Sequence, residues 1–542
     1  MARGSINGGF PGFFPAGRPN RSRLGMRFGL TQIASWVVIA WCATVILQLV
    51  FSQIPLIFLH ESVGYGDSYI FHTVEEFHRT GMLYPSIGPG NPTPTLYSPM
   101  LYLMHLAAWS ATPTSDNRYL GPRLVELLWY FACIYAAAVL THRLVRVKSA
   151  FWLGILLAAS YSVVIFWVLQ LRSDFPAIAC SLLALIFLTK QGRRSPFYAG
   201  ICAGLALQFK IVFVAAAVSG CIWLCIHKRW RDLVKFAAAA AVVSVGLYAA
   251  FAKHEPEMLT QILMMRKSVR HPSGVVVFLR QLIAEPGFVL AVAGMLPMAS
   301  LLLTGRRRHV QLVMIFVIIS LAAGTVGSLQ AGASINYFYE ALFAATPFAV
   351  LALLRLQTPR SGTAGLVVGL LLLTTHLLPG VAMTFRQLRS TASDIKSRNR
   401  EYEELRVVLG GTRILSSIPD ITALRPDPAI VDPYLLSYLS MTQGADLSLM
   451  ITRLNLKYYD VVVTQPADYS WRGIPQLVPS LRTAIVGNYI PYCLLRDSLF
   501  HMPDGSPSLP LEAKLRSIGC EVTQCGPGSR CPGLAISIEA FR

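Results

Sequence analysis

Side chains able to do chemistry crowd into five short stretches of this sequence. "HESVGYGDSYIFHTVEEFHRTG" (60–81) brings together His60, Glu61, Asp67, His72, Glu75, Glu76 and His78. "LRSDFP" (171–176) holds Arg172 and Asp174, and "LQFKIVF" (207–213) holds Lys210. "MMRKSVRHPSG" (264–274) carries Arg266, Lys267, Arg270 and His271, and "SINYFYEAL" (334–342) carries Asn336, Tyr337 and Glu340. Only 14% of the chain is charged, so such crowding needs a reason. A carboxylate within hydrogen-bond reach can take the proton of a hydroxyl as it attacks. Guanidinium and ammonium groups pair with phosphate oxygens. Acids beside bases therefore suit a reaction on a phosphorylated substrate. Each residue also has a plainer reading. Asp67 and Asp174 each precede a predicted helix and can cap it. Lys210 can snorkel to a membrane boundary, and the island at 266–271 can be a solvated helix face. His72, Glu75 and Glu76, at helical spacing, could face a divalent metal or simply form a wet interfacial face. No P-loop, GxSxG or HExxH pattern occurs, which removes support for nucleotide hydrolysis, serine hydrolysis and zinc proteolysis.

The elements that must position these residues are apolar. Of 542 residues 54% are hydrophobic, and the mean hydropathy is +0.52, which is far from a soluble domain. Runs of membrane-spanning length recur, so the chain reads as a polytopic α-helical membrane protein. About eleven spans are predicted: Ile33–Leu59, Leu120–Leu140, Ala150–Leu169, Phe175–Leu188, Phe197–Gln208, Val212–Ile226, Phe236–Ala252, Phe288–Leu303, Val310–Gly327, Tyr337–Leu354 and Gly365–Val381. The formal charge of +20 is spread through short clusters between these runs, at 143–148, 190–194, 227–235, 305–309 and 355–360. Such clusters mark the inner side of a membrane, not a nucleic-acid stripe. The connections 60–119, 171–175, 253–287 and 328–340 carry the acids and face outward on this reading, as does Lys210. Residues 1–27, rich in Gly, Pro and Arg, read as a disordered cytoplasmic tail, and the following run reads as a retained anchor without a cleavage site.

Beyond about residue 385 the pattern changes. Short strands at 412–418, 429–432, 459–464 and 492–497 alternate with helices at 433–439 and 446–456, which predicts a small α/β domain with a partly parallel sheet. An odd number of spans places residues 385–542 outside. Cys493, Cys520, Cys525 and Cys531 all lie there, an even set in an oxidising compartment, and predict disulfides of unspecified pairing. The other six cysteines lie in apolar runs and read as core packing.

The order of "GYGDSY", "GMLYP", "PTPTLYSPMLYL", "GPRLVELL", "LRSDFPAIACSLLAL", "GLALQFKIVFVAA" and "INYFYEAL" resembles the bacterial membrane glycosyltransferases of the GT-C class. These are related to the protein O-mannosyltransferases and the lipid A aminoarabinose transferases. The resemblance covers roughly residues 30–385 and implies a transferase domain over 28–384, with a large first periplasmic loop at 60–119 and a periplasmic domain after it. It implies a polyprenyl-phosphate sugar donor, a lipid, glycan or protein acceptor, and inverting transfer on the outer face of the inner membrane. Asp67 matches the first-loop catalytic acid and Asp174 the acid of the second outer turn, with Arg172 beside it. Glu61, Lys210, Asn336, Tyr337 and Glu340 then read as substrate-binding positions, together with the basic island. Asp67 is followed by Ser68 and not by a second acid. No cofactor is required by this reading, although a divalent metal is compatible with it. Two other classes compete: a transporter or flippase of a lipid-linked glycan, and a non-catalytic envelope assembly protein. A transporter would show inverted repeats and acids in mid-membrane, whereas here the acids lie at the boundary. In the assembly reading the acids are only caps.

Overall fold

The computed structural model describes residues 39–64, 66–87, 94–113, 116–190, 192–264, 272–298, 307–330, 333–356, 378–416, 421, 433–443, 446–464, 470–471, 474–475, 477–495, 498–505 and 509–522. The first helix, α1 (Ile39–Phe58), ends in a π turn and then a 3-10 turn that begins beside Pro55. The first loop follows, with α2 (Asp67–Thr80) and α3 (Pro99–Ser110). Gly81 ends α2 in the left-handed conformation at φ 72°, which a residue without Cβ adopts freely.

The chain then re-enters the bundle. In order come α4 (Leu120–Val145), α5 (Lys148–Ala159), the single turn α6 (Ser162–Ile165), α7 (Asp174–Thr189), α8 (Ser195–Phe209), α9 (Ala215–Ile226) and α10 (Trp230–His254). After these lie α11 (Met258–Met264), α12 (Pro272–Ala284), α13 (Pro286–Met295), α14 (Arg308–Ser328) and α15 (Tyr339–Leu356). Alanine and glycine let the bundle close up. A Cβ on Gly200 of α8 would fall 2.2 Å from the Phe236 carbonyl oxygen of α10, so those helices meet backbone to backbone.

By length and composition, five helices among the described residues can cross a membrane: Ile39–Phe58, Leu120–Val145, Trp230–His254, Arg308–Ser328 and Ile335–Arg355. The expected count of about eleven is not reached by this measure, because Lys148–Ala159, Asp174–Thr189 and Ala215–Ile226 are shorter than a full crossing. The outer connection expected at 253–287 differs as well. It is largely helical, and α12 forms with Pro286–Met298 an apolar pair bent by 83° at Glu285-Pro286. Proline removes a backbone donor and ends the helix before it, which converts one predicted loop and one predicted span into a broken helix. Most of the last predicted span, Gly365–Val381, lies outside the described residues.

A 32-residue helix, α16 (Leu378–Leu409), runs through the expected domain boundary at 384/385. Beyond it are α17 (Pro433–Gln443), α18 (Ser448–Asn455), α19 (Pro479–Asn488) and α20 (Leu509–Ser517). Five strands form one sheet: β1 (Ile414–Ser416), β2 (Val461–Thr464), β5 (Tyr489–Leu495), β6 (Ser498–Pro503) and β7 (Glu521–Val522), in the order β1-β2-β6-β5-β7. A small ribbon, β3 (Ser470–Trp471) with β4 (Ile474–Pro475), stands apart. β1 and β2 pair in parallel, Ile414 opposite Val461, and the other pairings are antiparallel. The sheet is thus partly parallel, as expected, while the strand expected at 429–432 lies outside the described residues. Cys493 and Cys520 are joined by a disulfide across a Cα–Cα distance of 5.6 Å, and Cys525 and Cys531 lie outside the described residues.

Candidate active site

Four element ends meet at one end of the bundle: the start of α2, the turn before α7, the end of α8 and the turn before α15. Asp67 opens α2 and is fully buried. Its carboxylate does not cap that helix. Oδ2 accepts the N–H groups of Val63 (3.1 Å) and Gly64 (2.9 Å), and Oδ1 accepts that of Leu171 (3.0 Å). A carboxylate has about four acceptor positions, so one lone pair on Oδ1 is left by these bonds. Burial pushes the Asp67 carboxyl above the ordinary aspartate range; the guanidiniums of Arg172 and Arg123 and the amides of Gly64 and Leu171 pull the other way.

Two glycines bring the 170–172 turn against this loop. A Cβ on Gly66 would lie 2.8 Å from Arg172 Nη2, and one on Gly64 would lie 2.6 Å from Gln170 Oε1. Arg172 stacks over Trp167 at 5.4 Å and donates from Nη1 to the Tyr97 hydroxyl at 3.1 Å. Its backbone N–H goes to Glu126 Oε1 of α4, 3.1 Å away.

Asp174 opens α7 and also caps nothing. Lys210, which follows α8, donates to its Oδ1 at 2.8 Å, and Asn336 donates to its Oδ2 at 2.9 Å. The Lys210 ammonium lies 4.5 Å from the ring centroid of Tyr337. That ring rests on α14: a Cβ on Gly327 would come within 2.4 Å of it. Asp67, Arg172, Asp174, Lys210, Asn336 and Tyr337 thus come together in one cluster.

Glu61 and Glu340 stand apart from it. The Glu61 carboxylate is bonded by Arg398 of α16. Glu340 lies within α15 and accepts from Ser320 of α14 at 2.9 Å, facing the bundle interior. Arg266, Lys267, Arg270 and His271 lie outside the described residues. The metal reading of the α2 face meets arginines instead: Arg118 is 3.5 Å from Glu75, and Arg79 is 2.5 Å from Glu76. Among the described residues no three His, Cys, Asp or Glu side chains gather as a metal site.

Sequence reasoning passed over Glu126, Tyr97, Arg123 and Glu255. Arg123 is fully buried and bonds the Leu56 carbonyl (3.0 Å), along with those of Leu59 and Glu61, at the end of α1. Glu255 takes the N–H groups of Leu83 (2.8 Å) and Tyr84 (3.2 Å), and Gln261 bonds Thr95 N–H (2.7 Å) and the Pro85 carbonyl (2.6 Å). The segment after α10 therefore pins both arms of the loop that ends in Tyr97. The available signal was Glu126 itself, an acid inside a predicted span, where an ionisable group marks a functional site.

No family model and no curated protein sequence matches the chain. Solved structures do. ArnT from Cupriavidus metallidurans, bound to undecaprenyl phosphate, superposes with a TM-score of 0.56 at 15% identity, over 88% of this chain and 99% of that one. The same protein in the apo state gives 0.54 at 13% identity, over 87% and 97%. The Archaeoglobus fulgidus oligosaccharyltransferase in the apo form gives 0.50 at 12% identity, over 90% of this chain and 78% of that one. The chain has the GT-C membrane fold of these proteins.

Proposed function

We propose that the chain is an integral membrane glycosyltransferase that moves a sugar from a polyprenyl-phosphate donor to an acceptor hydroxyl, with inversion. The observation that carries this reading is the meeting of Asp67, Arg172, Asp174 and Lys210 at one end of a fold shared with an ArnT bound to undecaprenyl phosphate. The two acids differ in surroundings, and this supports two roles. Asp174 is tied to an ammonium and an amide; it holds Lys210 in place. Asp67 is held by neutral amides, keeps a lone pair and is pushed up by burial, which suits a general base.

In the step, the acceptor oxygen attacks the anomeric carbon and gives its proton to Asp67. The bond from that carbon to the phosphate oxygen breaks. The polyprenyl phosphate leaves with the electron pair, and Arg172 and Lys210 stabilise its charge. On this reading the site faces the periplasm, the N-terminus is cytoplasmic and residues 385–542 form a periplasmic domain. The test is incubation of purified full-length chain with labelled polyprenyl-phosphate sugars and candidate acceptors. Release of free polyprenyl phosphate together with labelled acceptor is expected. A chain that moves the intact lipid-linked sugar across vesicles without breaking it would instead be a flippase.

A further inference from the structure

Two buried side chains that the proposed step does not use lie directly behind Arg172. Glu126, in the second turn of α4, and His105, on α3, are both fully buried. Glu126 Oε1 accepts the Arg172 N–H at 3.1 Å, and His105 Nε2 lies 3.3 Å from the same oxygen. Glu126 Oε2 and both ring nitrogens of His105 have no hydrogen-bond partner. The preceding amide, that of Leu171, is held by Asp67. Two consecutive N–H groups of one turn are thus fixed by two acids from different elements. Burying a carboxyl inside an apolar helix is expensive, and an apolar residue would fill that place at less cost. What the acid adds is a fixed backbone at the residue whose side chain reaches past Gly66 toward Tyr97.

We propose that Glu126 is a positioning residue that sets the Arg172 backbone and so aims its guanidinium at the phosphate of the lipid donor. This rests on the reading of the site as one for a polyprenyl phosphate. Burial holds the His105 imidazole neutral, pushed down to about 3. The ring lies against the Glu126 carboxyl without a hydrogen bond to it. The titratable and charged groups around Glu126 are His105, Arg172, Asp67, Asp174 and Cys133. The role requires an acceptor oxygen, not a charge. Glutamine supplies one and leucine does not, and the glutamine NH2 can occupy the place of the unpartnered Oε2.

The experiment is binding of undecaprenyl phosphate to the purified full-length chain, alongside thermal unfolding of each variant. Glu126→Gln should bind within about threefold of the parent. Glu126→Leu should bind about tenfold or more weakly, the worth of one hydrogen bond to a charged group. In an Arg172→Ala background Glu126→Leu should weaken binding no further, because it acts through Arg172. Glu126→Met, which also lacks the acceptor oxygen, provides the same cycle if Glu126→Leu does not fold. Additive losses in the cycle, or a glutamine variant as weak as leucine, overturn the proposal. A parent that does not bind undecaprenyl phosphate sinks the functional reading and this inference together, whereas binding without coupling sinks the inference alone.

Discussion

Asp67 and Asp174 are each the first residue of a helix, yet neither carboxylate bonds its own helix; both reach sideways to other elements. This alters what asparagine does at position 67. Both oxygens of Asp67 accept N–H groups, so the amide NH2 of asparagine would face a donor, at a cost of about 1–3 kcal/mol. Gly66→Ala is a gentler probe. Position 66 has φ −85°, which alanine tolerates, and the atom a Cβ would meet is the end of the Arg172 side chain. Thermal unfolding should be little changed, while undecaprenyl phosphate binding should fall about tenfold. Equal binding would show that Arg172 does not act there. A second expectation concerns pH. A base works deprotonated, so transfer should be lost on the acid side, at a pH above the ordinary aspartate range because burial raises the Asp67 carboxyl. A rate that stays flat down to about pH 4 would contradict this. Asp67, Arg172, Asp174 and Lys210 were legible in the sequence because charged residues are scarce and these sit at the ends of apolar runs; Asn336 is uncharged and was legible only by its place at such an end. Glu126 was passed over, since one acid in a long run changes its hydropathy little, although an acid inside a span is itself a signal. Glu340 was grouped with Asn336 by closeness in sequence, but one helical turn carries it into the bundle.

At the scale of elements, α16 is tied to the start of the first loop. Asn399 takes the His60 N–H (2.8 Å) and donates to the Phe58 carbonyl (2.9 Å); Arg398 pairs with Glu61, and Glu403 lies 3.0 Å from His60. Tyr438 and Leu439 of α17 pack into the same apolar cluster as Ile70, Phe71 and Tyr102 of that loop. Of these ties Asn399 should matter most, because it satisfies two backbone groups: Asn399→Ala should cost about 1–2 kcal/mol in thermal unfolding. The half-exposed Arg398–Glu61 pair should show a coupling of about 1 kcal/mol or less in a double-mutant cycle. The opposite ranking would mean that the charges, and not Asn399, fasten the loop. Nothing in the sequence pattern revealed this strut, because contacts between residues more than 300 positions apart leave no periodicity. The helix α2 and a partly parallel sheet were legible, since helical spacing marks the one and the alternation of strands with helices marks the other. The bend at Glu285-Pro286 was hidden in an apolar stretch that reads equally well as loop and span.

At the scale of the whole molecule, the proposed orientation puts Asp67 and the C-terminal sheet on one side of the membrane and the basic clusters on the other. With an impermeant thiol reagent added from outside, Arg79→Cys and Arg400→Cys should label and Lys148→Cys should not; the reverse pattern would invert the topology. The central claim is that this end of the bundle breaks a sugar–phosphate bond with Asp67 as base. Its most direct test compares Asp67→Asn with the parent, both purified and shown to be folded, for undecaprenyl phosphate binding and for sugar transfer. Binding should persist, while transfer should fall roughly 10²–10⁴-fold, because the amide cannot accept the proton. Transfer by folded Asp67→Asn at the parental rate would contradict the account.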